Sequence, residues 1–162
     1  MQEASSPSVH AIAIAKQRNA KHLRFAAMVA VLIAALLWRT QWLTLRPGLI
    51  VLLLGQLGAA IILSYRRVTL TKNLAAAGSN SDFNSLDWFA SEGTFVKGLA
   101  TFENSLRLIG FVLLALGFWE ATRSLWLALA IGLIYPITAY FGIGRANTQR
   151  TLRELEAQKK SL

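Results

Sequence analysis

Residues 47–65 read PGLIVLLLGQLGAAIILSY, a run without a single charged side chain, and they lie between Arg46 and the pair Arg66 and Arg67. The hydrocarbon core of a bilayer is about 30 Å thick, and an α-helix needs roughly 20 apolar residues to cross it. Basic side chains at both ends of such a helix can reach the lipid headgroups. The run therefore predicts a membrane-spanning helix.

Three further charge-poor runs accompany this one. The first, over residues 25–43, has a short charge-free core, FAAMVAVLIAALLW. The others cover residues 101–121 and residues 124–144, and the last holds no charge along its whole length. We therefore predict an all-α integral membrane protein with four transmembrane helices, arranged as two hairpins over residues 25–67 and 101–144.

The segments outside the two hairpins are polar. Residues 1–24 form a basic N-terminal arm, residues 68–100 a central loop, and residues 145–162 a charged tail that we expect to be a short helix. In the second half of the loop, apolar and charged residues alternate. This pattern fits an interfacial helix lying on the headgroups, and it fits equally well an N-terminal extension of the third span.

The basic residues are distributed unevenly between the two sides of this topology. Of the 17 Lys and Arg residues, thirteen lie on the side of the arm, the central loop and the tail, when Arg66 and Arg67 at the start of the loop are counted with it. The opposite side has three, Arg39, Arg46 and Arg123. Because basic residues accumulate on the cytoplasmic side, we expect a multi-pass protein of the cell membrane, the inner membrane of a bacterium, with both termini and the loop in the cytoplasm.

The composition argues against several classes of function. The net charge is +9, but the basic residues flank the apolar runs, which favours contact with lipid over nucleic acid. The chain has no cysteine, and its two histidines, His10 and His22, both precede the first span without an acidic neighbour. We therefore expect no catalytic, cofactor-binding or metal-binding residues, no cofactor and no enzymatic activity.

Three polar residues stand out because they lie within or beside the predicted spans. Glu103 and Arg107 are four residues apart, so they share one face of a helix. Ionisable groups at membrane depth are costly and are usually paired or functional. The two residues either contact an ion or a partner subunit, or they neutralise each other at the interface. Gln56 lies mid-span and needs a hydrogen-bond partner there.

Small residues mark one face of the second span. Gly55 and Ala59 are four apart, and Gly58 lies beside them. Such small-xxx-small spacing allows the backbones of two membrane helices to approach closely. We predict that Gly55, Gly58 and Ala59 form a helix-packing surface.

The third predicted span begins with FENSLRL over residues 102–108, in which Glu103 is followed four residues later by Arg107. The chain resembles ATP synthase protein I in this motif. It is also similar in its two hairpins, its basic N-terminal segment and its apolar fourth span with Trp126. That small four-span protein is associated with bacterial F-type ATP synthases. The resemblance covers roughly residues 20–145, and the long loop and charged tail depart from the pattern. It implies a helper in rotor-ring assembly or in local Mg²⁺ supply, with Glu103 and Arg107 as matching positions.

Two functions remain open at this level. The first is a non-enzymatic accessory or assembly subunit that docks on other membrane protein subunits, with the lipid bilayer as its solvent. The second is a small oligomeric transporter of ions or metabolites, which requires polar groups to converge on a pathway. The candidates for such a pathway are Gln56, Glu103, Arg107, Tyr135 and Tyr140. A membrane-bound enzyme has little support, since nothing in the sequence identifies a substrate.

Overall fold

The computed structural model describes residues 7–79, 84–141 and 143–160, and these residues contain helices and no strand. The all-α class is confirmed. The helices are α1 (Pro7–Arg39), α2 (Arg46–Gly78), α3 (Ser85–Thr122), α4 (Leu125–Phe141) and α5 (Ile143–Lys160), and a 3₁₀ turn (Leu43–Leu45) joins α1 to α2.

Three helices within the described residues, α1, α2 and α3, are long and apolar enough to cross a membrane. The prediction of four such helices is wrong in its number. α4 has 17 residues, which is about 25 Å at a rise of 1.5 Å per residue. That length falls short of a hydrocarbon core of about 30 Å. α4 runs beside α3, and a Cβ added to Gly132 would lie 3.2 Å from the Cβ of Ala115.

The three long helices are much longer than a bilayer requires. α1 and α2 have 33 residues each and α3 has 38, which correspond to about 50, 50 and 57 Å. Each helix therefore extends about 20 Å or more beyond the hydrocarbon core. Residues 68–78, predicted as part of a loop, are helical and belong to α2. Residues 85–100 are the N-terminal extension of the third span, one of the two alternatives left open, and residues 80–83 lie outside the described part.

The extended helix ends pack together into a layer that we call the head. Its buried apolar residues come from four helices: Ala11, Ile12, Ala15, Leu70, Trp88, Phe89 and Leu155. Ile12 and Leu70 are almost fully enclosed, and burying such a side chain contributes about 1.5–3 kcal/mol. Since α5 contributes Leu155 beside Ile12 of α1, the start of α1 and α5 lie at the same end of the bundle.

The remainder of the bundle holds two further apolar clusters. One surrounds Ala59, Leu63 and Leu99, and the other lies at the far end from the head, around Leu49 and Leu114. Large apolar side chains also cover the outside of the long helices: Val31, Leu32, Leu36, Leu54, Leu57, Ile61 and Leu116 are exposed. An apolar exterior of this kind is typical of helices that face lipid.

A residue in the left-handed conformation ends α3 and turns the chain into α4. Arg123 has φ 56°, and its backbone N–H donates to the carbonyl of Trp119 at 2.8 Å. At its other end α3 begins with a capping residue, Asn84, whose side chain accepts a hydrogen bond from the N–H of Asp87. The two caps fix where the longest helix begins and ends.

Candidate functional site

The Glu103 side chain lies inside the bundle, 6% exposed. Its Oε2 accepts a hydrogen bond of 3.0 Å from Nη2 of Arg107, one helical turn further along α3. The two residues that share a face by their spacing are thus also paired. A carboxylate at this depth requires such compensation, because an uncompensated charge in a low-dielectric interior is very costly.

His22 of α1 completes a three-residue cluster around this carboxylate. Its Nε2 lies 3.0 Å from Oε1 of Glu103. The alignment does not meet the geometry of a hydrogen bond, so the contact is an ion pair when the imidazole is protonated. We call His22, Glu103 and Arg107 the Glu103 cluster. His22 has no acidic neighbour in the sequence, so sequence reasoning had no basis for pairing it.

A second buried carboxylate, Glu92, was not identified from the sequence. It is 3% exposed, and each of its oxygens binds a different arginine. Nη2 of Arg18 in α1 donates to Oε1 at 3.1 Å, and Nη2 of Arg66 in α2 donates to Oε2. The guanidinium of Arg66 also lies 4.7 Å from the ring centroid of Phe95, a cation–π arrangement. Arg18, Arg66 and Glu92 form the Glu92 cluster.

Helical spacing places the two clusters on one face of α3. Glu92 and Glu103 are eleven residues apart, which is about three turns and about 16 Å along the axis. Their partners on α1, Arg18 and His22, are four residues apart and also share a face. The acids are thus about 16 Å apart on α3, whereas the bases are about 6 Å apart on α1. The two spacings do not match, so they gave no sequence signal for pairing α1 with α3.

The clusters bridge two helices that scarcely meet. α1 and α3 each pack along α2, whereas the backbones of α1 and α3 approach each other at few points. Long side chains fill that separation: Arg18 reaches Glu92, and His22 reaches Glu103. Chemically, each carboxylate is neutralised by cations of its own chain, and the arrangement serves to link helices.

Two buried amides accompany the clusters. Asn19 of α1 donates from Nδ2 to the carbonyl of Leu63 in α2 at 2.9 Å, which ties these two helices together. Gln56, singled out from the sequence, is buried in α2, and its Oε1 has no hydrogen-bond partner within the described residues. The expected partner for the side-chain oxygen of Gln56 is therefore not found in this part of the chain.

The predicted small-residue face packs against α3. A Cβ on Gly55 would lie 3.1 Å from the Cβ of Leu106, and one on Gly58 would lie 2.9 Å from the ring of Phe102. Ala59 is fully buried. The sequence missed a further close approach of the backbones of α2 and α3, where a Cβ on Gly48 would lie 2.7 Å from the backbone nitrogen of Leu114 and 2.8 Å from the carbonyl oxygen of Gly110.

Other candidate groups contribute less to a site. The side chains of Tyr135 and Tyr140 lie outside the described residues. Among the residues that are described, no group of three His, Cys, Asp or Glu side chains could hold a metal ion.

The chain matches no protein-family model, no curated protein and no solved structure.

Proposed function

We propose that the chain is a small, non-enzymatic membrane protein that acts as an accessory or assembly subunit of a larger membrane complex. The observation that supports this most directly is the internal use of its buried carboxylates. Glu92 binds two arginines of the same chain, and Glu103 binds Arg107 and contacts His22, so their oxygens stabilise the bundle. This arrangement suits a scaffold better than an acid–base catalyst, which needs an accessible group.

The surfaces that remain suit docking. Three apolar helices provide membrane-facing surface, and the head adds a helical layer beyond the hydrocarbon core. We propose that the head lies in the cytoplasm at the cell membrane, the inner membrane of a bacterium. Support comes from the thirteen basic residues in the segments that form or adjoin the head, against three near the opposite end.

The F-type ATP synthase is the specific complex that we propose to test first. The resemblance to ATP synthase protein I rests on the FENSLRL motif, and Glu103 and Arg107 of that motif form an ion pair. Between the two roles that the resemblance implies, help in rotor-ring assembly is favoured over Mg²⁺ supply. Oε2 of Glu103 already binds Arg107 and Oε1 faces the imidazole of His22, which leaves the carboxylate poorly placed to bind a metal ion.

The experiment is deletion of the gene in its source organism, with measurement of the assembled rotor ring on native gels. The expected result is a several-fold loss of assembled ring, restored by the native chain. Affinity purification in mild detergents should recover rotor-ring subunits with the tagged chain. Recovery of the chain alone in every mild detergent, together with normal ring yield in the deletion strain, would overturn the proposal.

A transporter is the second candidate, and the buried oxygen of Gln56 is the observation that favours it. An amide oxygen in a membrane span that has no hydrogen-bond partner among the described residues is a suitable contact for a cation or a polar solute that passes along the helix interface. Flux of protons and alkali cations into vesicles that contain the purified chain would test this. A flux equal to that of empty vesicles, or one unchanged in Gln56→Leu, would exclude a pathway past Gln56.

A further inference from the structure

Where the membrane part of the bundle meets the head, acidic side chains lie inside the bundle and basic side chains lie on its outer surface. The described carboxylates of α3 in this zone, Glu92 and Glu103, are buried and paired with inward-facing cations. The exposed Asp, Glu, Lys and Arg side chains on the described parts of the three long helices in this zone are all basic: Lys21, Arg24, Arg67 and Lys97. None of the four forms an ion pair within the described part of the chain.

Contacts between the helices place these four cations at similar heights. The bond from Asn19 to Leu63 sets the register of α1 against α2, and Lys21 and Arg24 follow Asn19 closely. The contact of Arg66 with Phe95 sets α2 against α3. Arg67 is the residue after Arg66, and Lys97 lies two residues after Phe95. At 1.5 Å per residue, the four Cα atoms fall within about 14 Å along the bundle axis. Long flexible stems can bring the charged groups closer still.

Exposed apolar side chains lie next to the cations. Phe25, which follows Arg24, is 53% exposed. Tyr65 is 75% exposed and Val68 is 57% exposed, and they stand on either side of Arg67 in the sequence. An aromatic or aliphatic group beside a cation is suited to a bilayer interface, where the apolar group contacts acyl chains and the cation contacts headgroups. An aqueous partner such as nucleic acid or an acidic protein gives these apolar side chains no comparable environment.

We propose that Lys21, Arg24, Arg67 and Lys97 form a cation collar that binds the headgroups of anionic phospholipids at the head side of the membrane. No exposed carboxylate on the described parts of α1, α2 and α3 lies at the height of the collar. The nearest on α3, Asp87, is ten residues from Lys97, about 15 Å along the helix. The inward orientation of Glu92 and Glu103 thus has a second effect, because it leaves the outer surface of the described parts of α1, α2 and α3 at this height without an exposed carboxylate. The collar does not depend on which complex the chain joins.

The test compares lipids retained by the full chain after reconstitution into bilayers of phosphatidylglycerol and phosphatidylcholine in equal amounts, with identical acyl chains. Mass spectrometry of the gently extracted protein should show phosphatidylglycerol enriched several-fold over phosphatidylcholine. Replacing all four collar cations by Gln should return the ratio to that of the bulk bilayer. The loss should be at most about five-fold for each cation removed, the preference that one basic residue provides at an anionic surface.

A matched control removes the same charge elsewhere. Lys72, Arg153, Lys159 and Lys160 are exposed and lie in the head, and their replacement by Gln should leave the enrichment unchanged. Thermal unfolding in detergent should show that both variants remain folded. Equal loss of enrichment in the two variants would overturn the proposal, since net charge alone would then explain it. Absence of enrichment in the native chain would overturn it as well.

Discussion

The imidazole Nε2 of His22 in α1 lies 3.0 Å from the carboxylate Oε1 of Glu103 in α3. This contact joins two helices whose backbones approach each other at few points, and it complements the bond that Arg107 makes to the other oxygen of the same carboxylate. The energy of this arrangement is therefore shared among three residues. Removal of one partner should consequently differ from removal of a pair.

Arg107→Gln should destabilise the bundle by about 3 kcal/mol, because it leaves the carboxylate of Glu103 buried without its arginine partner. The double variant Glu103→Gln with Arg107→Gln should recover most of that loss, since it removes both charges. The free energy of unfolding in detergent is the measurement. If the double variant loses as much stability as Arg107→Gln and Glu103→Gln lose together when measured singly, the two residues do not stabilise each other.

His22→Gln should cost less, about 1 kcal/mol or below, because the side chain is partly exposed and solvent screens such an ion pair. The distribution of distances between spin labels on the head segments of α1 and α3 should nevertheless broaden, because this contact and that of Arg18 bridge the two helices. A distance distribution identical to that of the native chain would show that His22 does not hold α1 against α3.

Glu92→Gln should destabilise the chain by about 3 kcal/mol, because it removes the carboxylate shared by two arginines, one of them largely buried. A matched control is the exposed pair on α5, in which Nε of Arg150 lies 3.0 Å from Oε1 of Glu154. Glu154→Gln should change the stability by about 0.5 kcal/mol or less. Similar losses in the two variants would mean that burial adds nothing to the Glu92 cluster.

Gly48→Ala should destabilise the chain by about 1–3 kcal/mol, since the added methyl group meets backbone atoms of α3 that cannot move aside cheaply. Gly98 is also helical, but a Cβ there would meet no described atom within 4 Å outside its own helix turn. Gly98→Ala should therefore stabilise by about 0.5–1 kcal/mol through helix propensity. Thermal unfolding of both variants decides the matter, and shifts of the same sign would contradict close packing at Gly48.

Arg123→Gly should stabilise the chain by roughly 1 kcal/mol, because the left-handed conformation costs an L-residue about 1–2 kcal/mol and costs glycine almost nothing. Thr122→Gly, one residue earlier and still in α3, is the control and should reduce stability, because glycine in a helix is unfavourable. The melting temperature in detergent is the measurement. A lower value for Arg123→Gly would show that the charge of Arg123 matters more than its backbone conformation.

Sequence reasoning located the membrane helices well because exclusion of charge is a local property. It overestimated their number, since residues 124–144 lack charge throughout while α4 has only 17 residues. A run without charge indicates a preference for lipid, but it does not indicate at which residue a helix ends. The helical course of residues 68–78 was missed for a related reason. Leu70 and Leu74 acquire their role only when α1 and α3 cover them.

The candidate site shows the same division between local and distant information. The pairing of Glu103 with Arg107 follows from a spacing of four within one helix. The contacts of Glu103 with His22, and of Glu92 with Arg18 and Arg66, join different helices. They depend on how α1, α2 and α3 are rotated and aligned against one another. No short stretch of sequence contains that information.

The unbroken course of α1, α2 and α3 from the membrane into the head has a mechanical consequence. A continuous helix is a stiff rod, so it acts as a lever whose fulcrum is the bilayer surface. Helices tilt as bilayer thickness changes, and a tilt of about 10° displaces the end of an arm of about 20 Å by about 3–4 Å. A protein bound to the head is therefore displaced when the thickness of the surrounding bilayer changes.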